Sequence, residues 1–413
     1  MITEILATGD EIRSGSLADT NSAWLAQKLE QAGLEVTRHN CVGDDRELLC
    51  EVLKEISKRA DIALVTGGLG PTTDDLTSEA AADAARVELV LDQKALDSIE
   101  NYFSSRNRTM PLSNKKQALI PQGAETIYNP VGTAPGFALK IGKCLFYFMP
   151  GVPSEMKTMY SEKLVPHMEK YMGKNKVFNM VKTISTFGLP ESIVGEMLSA
   201  LPEKYPGIKL GLRAKFPEIQ VKLYAKSTNE KDLKENVHLA CQWIAEKMGD
   251  RIFSTSEETM EAVVGKLLKK RNAAIAIAES CTGGLIASRL TDVPGSSDYF
   301  LFSGVTYSNE SKIKVLGVKE ETIKNFGAVS EETAGEMAIG ARQAAGADYG
   351  LSTSGIAGPD GGTNEKPVGT VCIGLASPEK TETHRFILRF ASRSMNKRMF
   401  AMKALDLLRL ELI

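Results

Sequence analysis

A serine, a tyrosine and a lysine in the C-terminal third of this 413-residue chain could form one catalytic group. The serine, Ser280, stands in the motif Ala278–Gly284, between an apolar run at 273–278 and a helical pattern at 285–290. The apolar run predicts a buried parallel strand, so Ser280 is expected at a strand-to-helix turn. Its hydroxyl would be exposed there, and the amide groups at the helix start would face an oxyanion or a phosphate.

The tyrosine and the lysine, Tyr307 and Lys312, belong to a second motif, residues 305–312. A lysine with a lowered pKa could take the serine proton directly or through Tyr307. Five residues of separation do not place the two side chains on one helical face, so their convergence requires the turn at Ser308-Asn309. The alternatives are a strand-end aromatic residue for Tyr307 and a solvated lysine at a helix start for Lys312.

Cys281, next to Ser280, is a second possible nucleophile. No histidine in the surrounding motifs could activate it, so a small residue at a tight turn is the favoured interpretation. The six cysteines form no CxxC pair, and the four histidines do not cluster. Reduced, mostly buried thiols are therefore expected, and a zinc site is not.

A glycine-rich loop at 354–363 could bind a ribose phosphate through its backbone amides, with Ser354 and Thr363 as hydroxyl donors. A mobile surface loop would have a similar composition, but the strand pattern at 366–374 pins the far end. The predicted substrate-binding residues of the C-terminal part are Thr282, Gly283, Gly284, Ser354, Gly355, Gly358, Gly362 and Thr363.

A second glycine-rich turn, residues 65–77, follows a buried strand near the N-terminus. Its glycines allow close approach to a ligand, and the helix start favours an anion. The predicted nucleotide-binding residues are Gly67, Gly68, Gly70, Thr72 and Thr77. Adjacent carboxylates at this and two other strand ends could hold a divalent metal ion: Asp74, Asp75, Asp10, Glu11 and Asp44. An unliganded turn and simple helix capping are the alternatives.

The elements that must position these residues form three segments. Residues 1–170 alternate short apolar strands with amphipathic helices, which is typical of a parallel sheet covered by helices. Residues 175–253 have the pattern strand, helix, strand, strand, helix, a small α+β layer that follows a linker at Met172–Lys176. Residues 255–413 form another α/β unit, beginning with a capping sequence at Thr255.

The composition argues against two classes of partner. A net charge of -2 and a pI near 6.2 provide no electrostatic reason to expect tight nucleic-acid or membrane binding. No apolar run approaches the length of a membrane-spanning helix, and the first residues lack the basic region of a signal peptide. A cytoplasmic protein is expected.

The motifs Thr8–Glu11, 67–77 and 354–363 together resemble the long form of the competence/damage-inducible CinA family, over the whole chain. The resemblance implies an N-terminal molybdopterin-binding-like domain, a KH-like middle domain and a C-terminal α/β amidohydrolase domain. The middle segment has no Gly-x-x-Gly loop, so RNA binding is not inferred. A homodimer is expected.

The resemblance also implies two activities of pyridine-nucleotide salvage. The C-terminal part would hydrolyse the carboxamide of nicotinamide mononucleotide (NMN) without a cofactor, with Ser280, Tyr307 and Lys312 as catalytic residues. The N-terminal part would cleave ADP-ribose with a divalent metal ion of unknown identity. Near the C-terminus, where the family has an arginine followed by glutamine, this chain has Arg398 and Met399. Arg398 is the retained substrate contact, whereas methionine cannot supply the amide hydrogen bonds.

Two alternatives remain open. The N-terminal domain could be a non-catalytic module that binds a nucleotide or a pterin. The chain could also be an interaction protein of DNA uptake or recombination, as the family name suggests. The acidic pI argues against direct DNA contact but leaves a protein partner open.

Overall fold

The computed structural model describes residues 1–172 and 178–413. It divides into two compact units, residues 1–181 with 225–235 and residues 182–224 with 236–413. The predicted linker at 172–176 lies, except for its first residue, outside the described part of the chain.

The N-terminal segment contains eight described strands and seven described helices. The strands are β1 (Thr3–Thr8), β2 (Val36–Val42), β3 (Ile62–Thr66), β4 (Leu89–Leu91), β5 (Leu119–Pro121), β6 (Glu125–Ile127), β7 (Gly136–Ile141) and β8 (Cys144–Met149). The helices are α1 (Asp10–Arg13), α2 (Thr20–Gln31), α3 (Arg46–Arg59), α4 (Thr77–Ala85), α5 (Gln93–Ser104), α6 (Pro153–Met159) and α7 (Val165–Met172).

The main N-terminal sheet has the order β2-β1-β3-β8-β7-β6. The first four strands are parallel, as expected, whereas β7 and β6 extend the sheet in antiparallel fashion. Alternate residues of β3 enter two cores: Ala63 and Val65 pack with α3 and α4, while Ile62 and Leu64 pack with α2 and α6. Helices therefore cover both faces, and the carboxyl ends of β1, β2, β3 and β8 meet at one edge.

The middle segment forms a four-stranded sheet with the order β10-β11-β9-β12. The strands are β9 (Phe178–Thr186), β10 (Ile208–Lys215), β11 (Glu218–Ser227) and β12 (Ile252–Ser254), and the helices are α8 (Glu191–Met197), α9 (Leu201–Lys204) and α10 (Glu230–Met248). The expected α+β pattern is present, with the short α9 and the edge strand β12 in addition.

The C-terminal segment has a five-stranded sheet with the order β14-β13-β15-β16-β17. The strands are β13 (Ile275–Glu279), β14 (Phe300–Val305), β15 (Tyr349–Gly355), β16 (Thr370–Ala376) and β17 (Thr381–Ile387). The helices are α11 (Met260–Lys270), α12 (Leu285–Thr291), α13 (Asn309–Leu316), α14 (Glu320–Phe326), α15 (Glu331–Ala345) and α16 (Arg393–Leu412).

Strand register in this sheet positions the C-terminal site. β13 is parallel to both β14 and β15, and Glu279 pairs with Val305 on one side and Thr353 on the other. The residues that follow these three, among them Ser280, therefore leave the sheet at the same edge. Elsewhere, no helix in the described part of the chain has the length and apolar character needed to span a membrane.

Candidate active site

Lys312 and Ser280 are in direct contact at the carboxyl edge of the C-terminal sheet. The Lys312 side chain is 1% exposed, and its Nζ donates to Ser280 Oγ at 3.2 Å. The same Nζ donates to the backbone oxygens of Thr306 at 2.9 Å and Tyr307 at 3.2 Å. The structure thus brings together the predicted serine and lysine, and it excludes the solvated-lysine alternative.

Burial lowers the pKa of Lys312 from its ordinary value, because the charged ammonium loses its hydration. Within the described part of the chain, Lys312 forms no ion pair with a carboxylate that would restore its charge. The lowered pKa brings the neutral amine, the form that can accept a proton from Ser280 Oγ, within easier reach than in a solvated lysine.

The turn at Ser308 places Lys312 in this position. The Ser308 hydroxyl caps α13 by accepting from the Ser311 amide at 3.1 Å, and Lys312 follows in the first turns of that helix. The capped helix starts directly beyond the end of β14. Lys312 consequently folds back over Thr306 and Tyr307, which is how two residues five positions apart take part in one site.

The Ser280 turn is held by backbone hydrogen bonds. The Ser280 amide donates to the Thr353 oxygen at 2.9 Å, and the Ser280 oxygen accepts from the Gly283 amide at 3.1 Å. Gly283 and Gly284 adopt φ angles of 61° and 87°, which favour glycine. The serine is thus held in position before any substrate binds.

The start of α12 differs from the expected anion site. The carboxylate of Glu279, a fully buried residue, accepts from the Ile286 amide at 3.2 Å and from the Ala287 amide at 2.9 Å. An internal carboxylate thus satisfies the groups that an incoming anion would need. The buried hydroxyl of Thr282 likewise bonds Thr353 Oγ1 at 2.7 Å. The Ile286 and Ala287 amides and the Thr282 hydroxyl are therefore engaged within the protein, while substrate contacts of Thr282, Gly283 and Gly284 stay predictions.

Cys281 is 4% exposed and inert at neutral pH, because burial raises the pKa of its thiol to about 12. Its Sγ lies 3.1 Å from the position that a Cβ on Gly355 would take. Because both residues are small, the ends of β13 and β15 can lie close together. This agrees with the small residue at a tight turn that the sequence favoured.

Tyr307 contacts Lys312 through its backbone oxygen, not through its ring. The ring is exposed, and the phenolic oxygen accepts a hydrogen bond from Arg393 Nη2 at 3.0 Å. Lys312 reaches Ser280 without it, so the direct route of proton transfer fits the geometry.

Two basic side chains on α16 were missed by the sequence reasoning. Arg393 donates to the Gly358 oxygen at 2.7 Å as well as to Tyr307, and Lys397 Nζ lies 3.2 Å from where a Cβ on Gly283 would stand. Neither forms an ion pair with a described carboxylate. Their spacing of four residues on a helix is the signal that could have identified them.

Arg398 and Met399 make contacts away from the Ser280 turn, and the expected substrate contact of Arg398 stays a prediction. Arg398 Nη2 donates to the Phe216 oxygen at 2.6 Å, and Met399 packs against the hydrophobic core. A helix turns by about 100° per residue, so Arg398 cannot share the face of Lys397. The amide on this helix that bonds the glycine-rich loop belongs to Asn396, whose Nδ2 donates to the Ala357 oxygen at 2.9 Å.

Residues of the glycine-rich loop form hydrogen bonds with the rest of the protein. Ser354 is buried and donates to the Ala328 oxygen at 2.5 Å, while the exposed Thr363 accepts from the Lys366 amide at 3.0 Å. A Cβ on Gly362 would stand 2.8 Å from the Val368 amide nitrogen. The two predicted hydroxyl donors, Ser354 and Thr363, thus form hydrogen bonds within the protein. The Gly358 oxygen accepts a hydrogen bond from Arg393.

A second candidate site is a cavity of about 420 Å³ at the carboxyl edge of the N-terminal sheet. Several of the predicted residues line it, together with residues that the sequence reasoning did not select, such as Asn21, Thr133 and Glu155. The predicted lining residues are Gly67, Gly68, Gly70, Glu11, Asp44, Asp74 and Asp75.

Other predicted residues of this cavity support its walls. Thr77 is buried, and its hydroxyl donates to the Gly67 oxygen at 3.0 Å. Thr72 donates from both its amide and its hydroxyl to one oxygen of Asp75, the amide at 2.8 Å. Asp10 accepts from Arg13 Nε at 3.0 Å. We therefore assign Thr72, Thr77 and Asp10 to the scaffold of the turn.

The carboxylates of the cavity provide hard oxygen donors but not a complete metal cage. In the described residues, no three His, Cys, Asp or Glu side chains are grouped to hold a metal ion by themselves. Burial raises the pKa of Asp44, and the negative charges of Asp10, Glu11 and Asp74 contribute to the rise. Mg²⁺ is usually held by one or two carboxylates plus substrate phosphates and water, so this donor set fits an ion that arrives with a nucleotide.

Comparison with known proteins agrees with the three segments. Family models match residues 4–170 ("Probable molybdopterin binding domain"), 181–254 ("Damage-inducible protein CinA KH domain") and 257–412 ("CinA C-terminal domain"). A CinA-like protein of Desulfosudis oleivorans is 53% identical over 413 residues and is covered completely, as is this chain.

Two further comparisons extend this result. A CinA-like protein of Shewanella sediminis is 43% identical, with 100% of this chain and 96% of the relative covered. A solved structure of the competence/damage inducible protein CihA from Agrobacterium tumefaciens is 36% identical over 37% of this chain and 93% of its own, with a TM-score of 0.36. The sequence identities with the two full-length relatives are the comparisons that show the family.

Proposed function

This chain belongs to the CinA family, and from that premise we propose that its C-terminal domain is a serine-lysine amidohydrolase that converts NMN to nicotinate mononucleotide and ammonia. The observation that carries the proposal is the 3.2 Å hydrogen bond from a buried, uncompensated Lys312 Nζ to Ser280 Oγ. A buried lysine beside a serine hydroxyl is the arrangement that an activated nucleophile requires.

In the proposed reaction, neutral Lys312 takes the proton of Ser280 Oγ as the oxygen attacks the carboxamide carbon. Lys312 then returns the proton to the departing nitrogen, and ammonia leaves an acyl-serine. Water hydrolyses the ester with the same lysine as base, which releases the carboxylate product and restores Ser280.

The substrate phosphate is assigned to Arg393 and Lys397. Lys397 Nζ lies next to Gly283 in the turn that follows Ser280, and Arg393 contacts the Gly358 oxygen and the Tyr307 hydroxyl. Neither has a carboxylate partner among the described residues, and an arginine offers paired donors to phosphate oxygens. With the start of α12 occupied by Glu279, these two side chains form the positive wall of the site.

The proposal is tested by incubating the full-length protein with NMN and measuring ammonia and nicotinate mononucleotide. Equal amounts of the two products are expected from the wild type and neither from Ser280→Ala. Ammonia release that persists in Ser280→Ala, with the variant folded, would overturn the assignment of the nucleophile.

We further propose that the N-terminal domain cleaves ADP-ribose to AMP and ribose 5-phosphate. The glycine-lined cavity, whose carboxylates include Glu11, Asp44, Asp74 and Asp75, supports a metal-nucleotide substrate. A divalent ion held by these residues would neutralise the pyrophosphate charge. AMP release from ADP-ribose by Ser280→Ala protein tests this activity separately from the deamidase.

The two alternatives give different outcomes in the same assay. A non-catalytic nucleotide- or pterin-binding module would bind ADP-ribose without AMP release. An interaction protein of DNA uptake or recombination would turn over neither substrate. Measuring ADP-ribose binding by calorimetry beside both product assays separates the three interpretations.

A further inference from the structure

The turn between β10 and β11 carries Phe216, and this residue contacts the C-terminal segment. The Phe216 ring lies 5.0 Å from the Phe390 ring at an interplanar angle of 71°. Arg398 Nη2 donates to the Phe216 oxygen at 2.6 Å, and its guanidinium lies 5.5 Å from the Phe216 ring centre. These residues lie in the same compact unit, so the contact belongs to one body.

The far side of this contact leads to the glycine-rich loop. The Phe390 amide donates to Asn396 Oδ1 at 2.9 Å, and Asn396 Nδ2 donates to the Ala357 oxygen at 2.9 Å. Asn396 is 1% exposed, so both hydrogen bonds are shielded from water. Phe216 is thus connected to Ala357 through two residues.

The next loop residue, Gly358, is held by Arg393, which also donates to the Tyr307 hydroxyl. Residues 391–394, where α16 begins, are exposed. The β10–β11 turn therefore packs beside the start of α16. This helix start is exposed, and the helix carries the proposed phosphate-binding side chains.

We propose that the β10–β11 turn is a positioning element of the C-terminal site, with Phe216 and Arg398 as positioning residues. By packing on Phe390 and bonding Arg398, the turn holds the first turns of α16 in place. Arg393 and the Ala357-Gly358 loop are then fixed in the orientation that binds the substrate phosphate. This inference rests on the proposed NMN deamidase function and gives the middle domain a role in it.

The test compares Phe216→Ala and Arg398→Ala with wild type in the full chain. We expect the KM for NMN to rise about tenfold in Phe216→Ala, because the start of α16 loses the aromatic contact that holds it in place. The kcat should fall less than about threefold, because Ser280 and Lys312 do not touch α16 or the turn. Phe216→Tyr and Arg398→Lys should recover most of the loss, and Lys209→Ala, an exposed change on β10, is the matched control.

Two further measurements do not depend on NMN. Ser280 labelling by a small fluorophosphonate should stay within about twofold of wild type in Phe216→Ala, which separates positioning from general damage to the fold. Hydrogen exchange of the amides at 396–400 should be about tenfold faster in Phe216→Ala and unchanged in Lys209→Ala.

The outcomes distinguish this inference from the proposed function. Unchanged KM and unchanged exchange in Phe216→Ala would overturn the positioning role, as would a loss of labelling equal to the loss of kcat/KM. If wild type released no ammonia from NMN while exchange still increased, the turn would be confirmed as the support of α16 and the proposed function would fail.

Discussion

The two candidate sites lie at equivalent edges of two α/β sheets but are built differently. In the C-terminal domain, a buried lysine already contacts the serine that it would activate. In the N-terminal domain, carboxylates surround an open cavity of about 420 Å³ without being grouped around one point. The first site carries its own reactive pair, whereas the second requires its ligand to complete it.

Electrostatics explain the contrast. Burial lowers the pKa of Lys312, so its ammonium group loses a proton more readily than that of a solvated lysine. In the N-terminal cavity, burial raises the pKa of Asp44 and the negative charges of Asp10, Glu11 and Asp74 add to the rise, so a bound cation would favour its charged form. Substitutions, pH and chelation should therefore affect the activities of the two sites differently.

The largest expected effect is that of Ser280→Ala on ammonia release. Removal of the nucleophile should lower kcat/KM for NMN by about a thousandfold or more while AMP release from ADP-ribose stays unchanged. Cys281→Ser is the matched control, with an expected loss of less than about tenfold, because the pKa of the Cys281 thiol is about 12. Loss of activity in Cys281→Ser alone would contradict the assignment.

Lys312→Met should lower the deamidation rate by about a hundredfold or more, the usual contribution of a general base. In wild type, kcat/KM should rise with pH through the lowered pKa of Lys312, because deprotonation creates the base. The variant should lose this step in its pH profile. An identical profile in both proteins would exclude Lys312 as the titrating group.

Lys312→Met should also change the melting temperature of the protein in a pH-dependent way. A lysine whose pKa is lowered by folding binds fewer protons folded than unfolded, so its charge costs stability most at pH values below its folded pKa. Lys312→Met should therefore melt at a higher temperature than wild type at neutral pH. The difference should shrink as pH rises toward the ordinary lysine pKa. A lower melting temperature at neutral pH would contradict the buried, uncompensated amine.

Chelation should affect only the N-terminal activity. Excess EDTA is expected to slow AMP release about a hundredfold, because neutralising a pyrophosphate is worth several kcal/mol. Ammonia release from NMN should not change. Asp74→Asn is a cleaner variant than Asp75→Asn, since the Asp75 carboxylate also holds the Thr72 turn. AMP release that survives excess chelator would remove the role of the metal.

The smallest expected effect concerns where the C-terminal domain can be cut. Arg409 is 4% exposed, and its Nη2 donates to the Asp250 oxygen at 2.6 Å. A fragment of residues 257–413 should keep Ser280-dependent deamidation, with a raised KM because it lacks Phe216. It should be about 1–3 kcal/mol less stable than one of residues 178–413, because the buried Arg409 loses this acceptor. Denaturant unfolding measures the difference. Equal stability of the two fragments would show that residues 178–256 contribute nothing to the C-terminal core.

Part of the candidate site was accessible from the sequence because its signals are local. Ser280 follows an apolar run and precedes two glycines that turn the chain, and the C-terminal domain was recognisable from short motifs around it. Glu279, however, looked like any polar strand end. Its buried carboxylate caps α12 only because the first turn of that helix packs back onto the end of β13.

The helix α16 shows a second case in which the sequence motif did not indicate the direction of a side chain. A match to a family motif placed Arg398 in the substrate site, but in the structure Arg398 bonds the Phe216 oxygen. Lys397 lies beside Gly283, and Arg393 bonds the Gly358 oxygen. Which of several basic residues on a helix faces a site depends on how the helix is rotated against its sheet. That rotation is set by core contacts such as those of Phe400 and Leu405, which belong to no catalytic motif.

By itself, the sequence determined the alternation of strands and helices, the family and the candidate serine-lysine pair, and it predicted a division into three segments. These follow from hydrophobic period, turn residues and short motifs, which act over a few neighbouring residues. Only the tertiary structure decided that Lys312 is buried with a lowered pKa, that the Tyr307 hydroxyl bonds Arg393, and that Glu279 occupies the start of α12. A pKa, a side-chain direction or an occupied helix end is the sum of contacts from distant segments, and such sums exist only once the chain has packed.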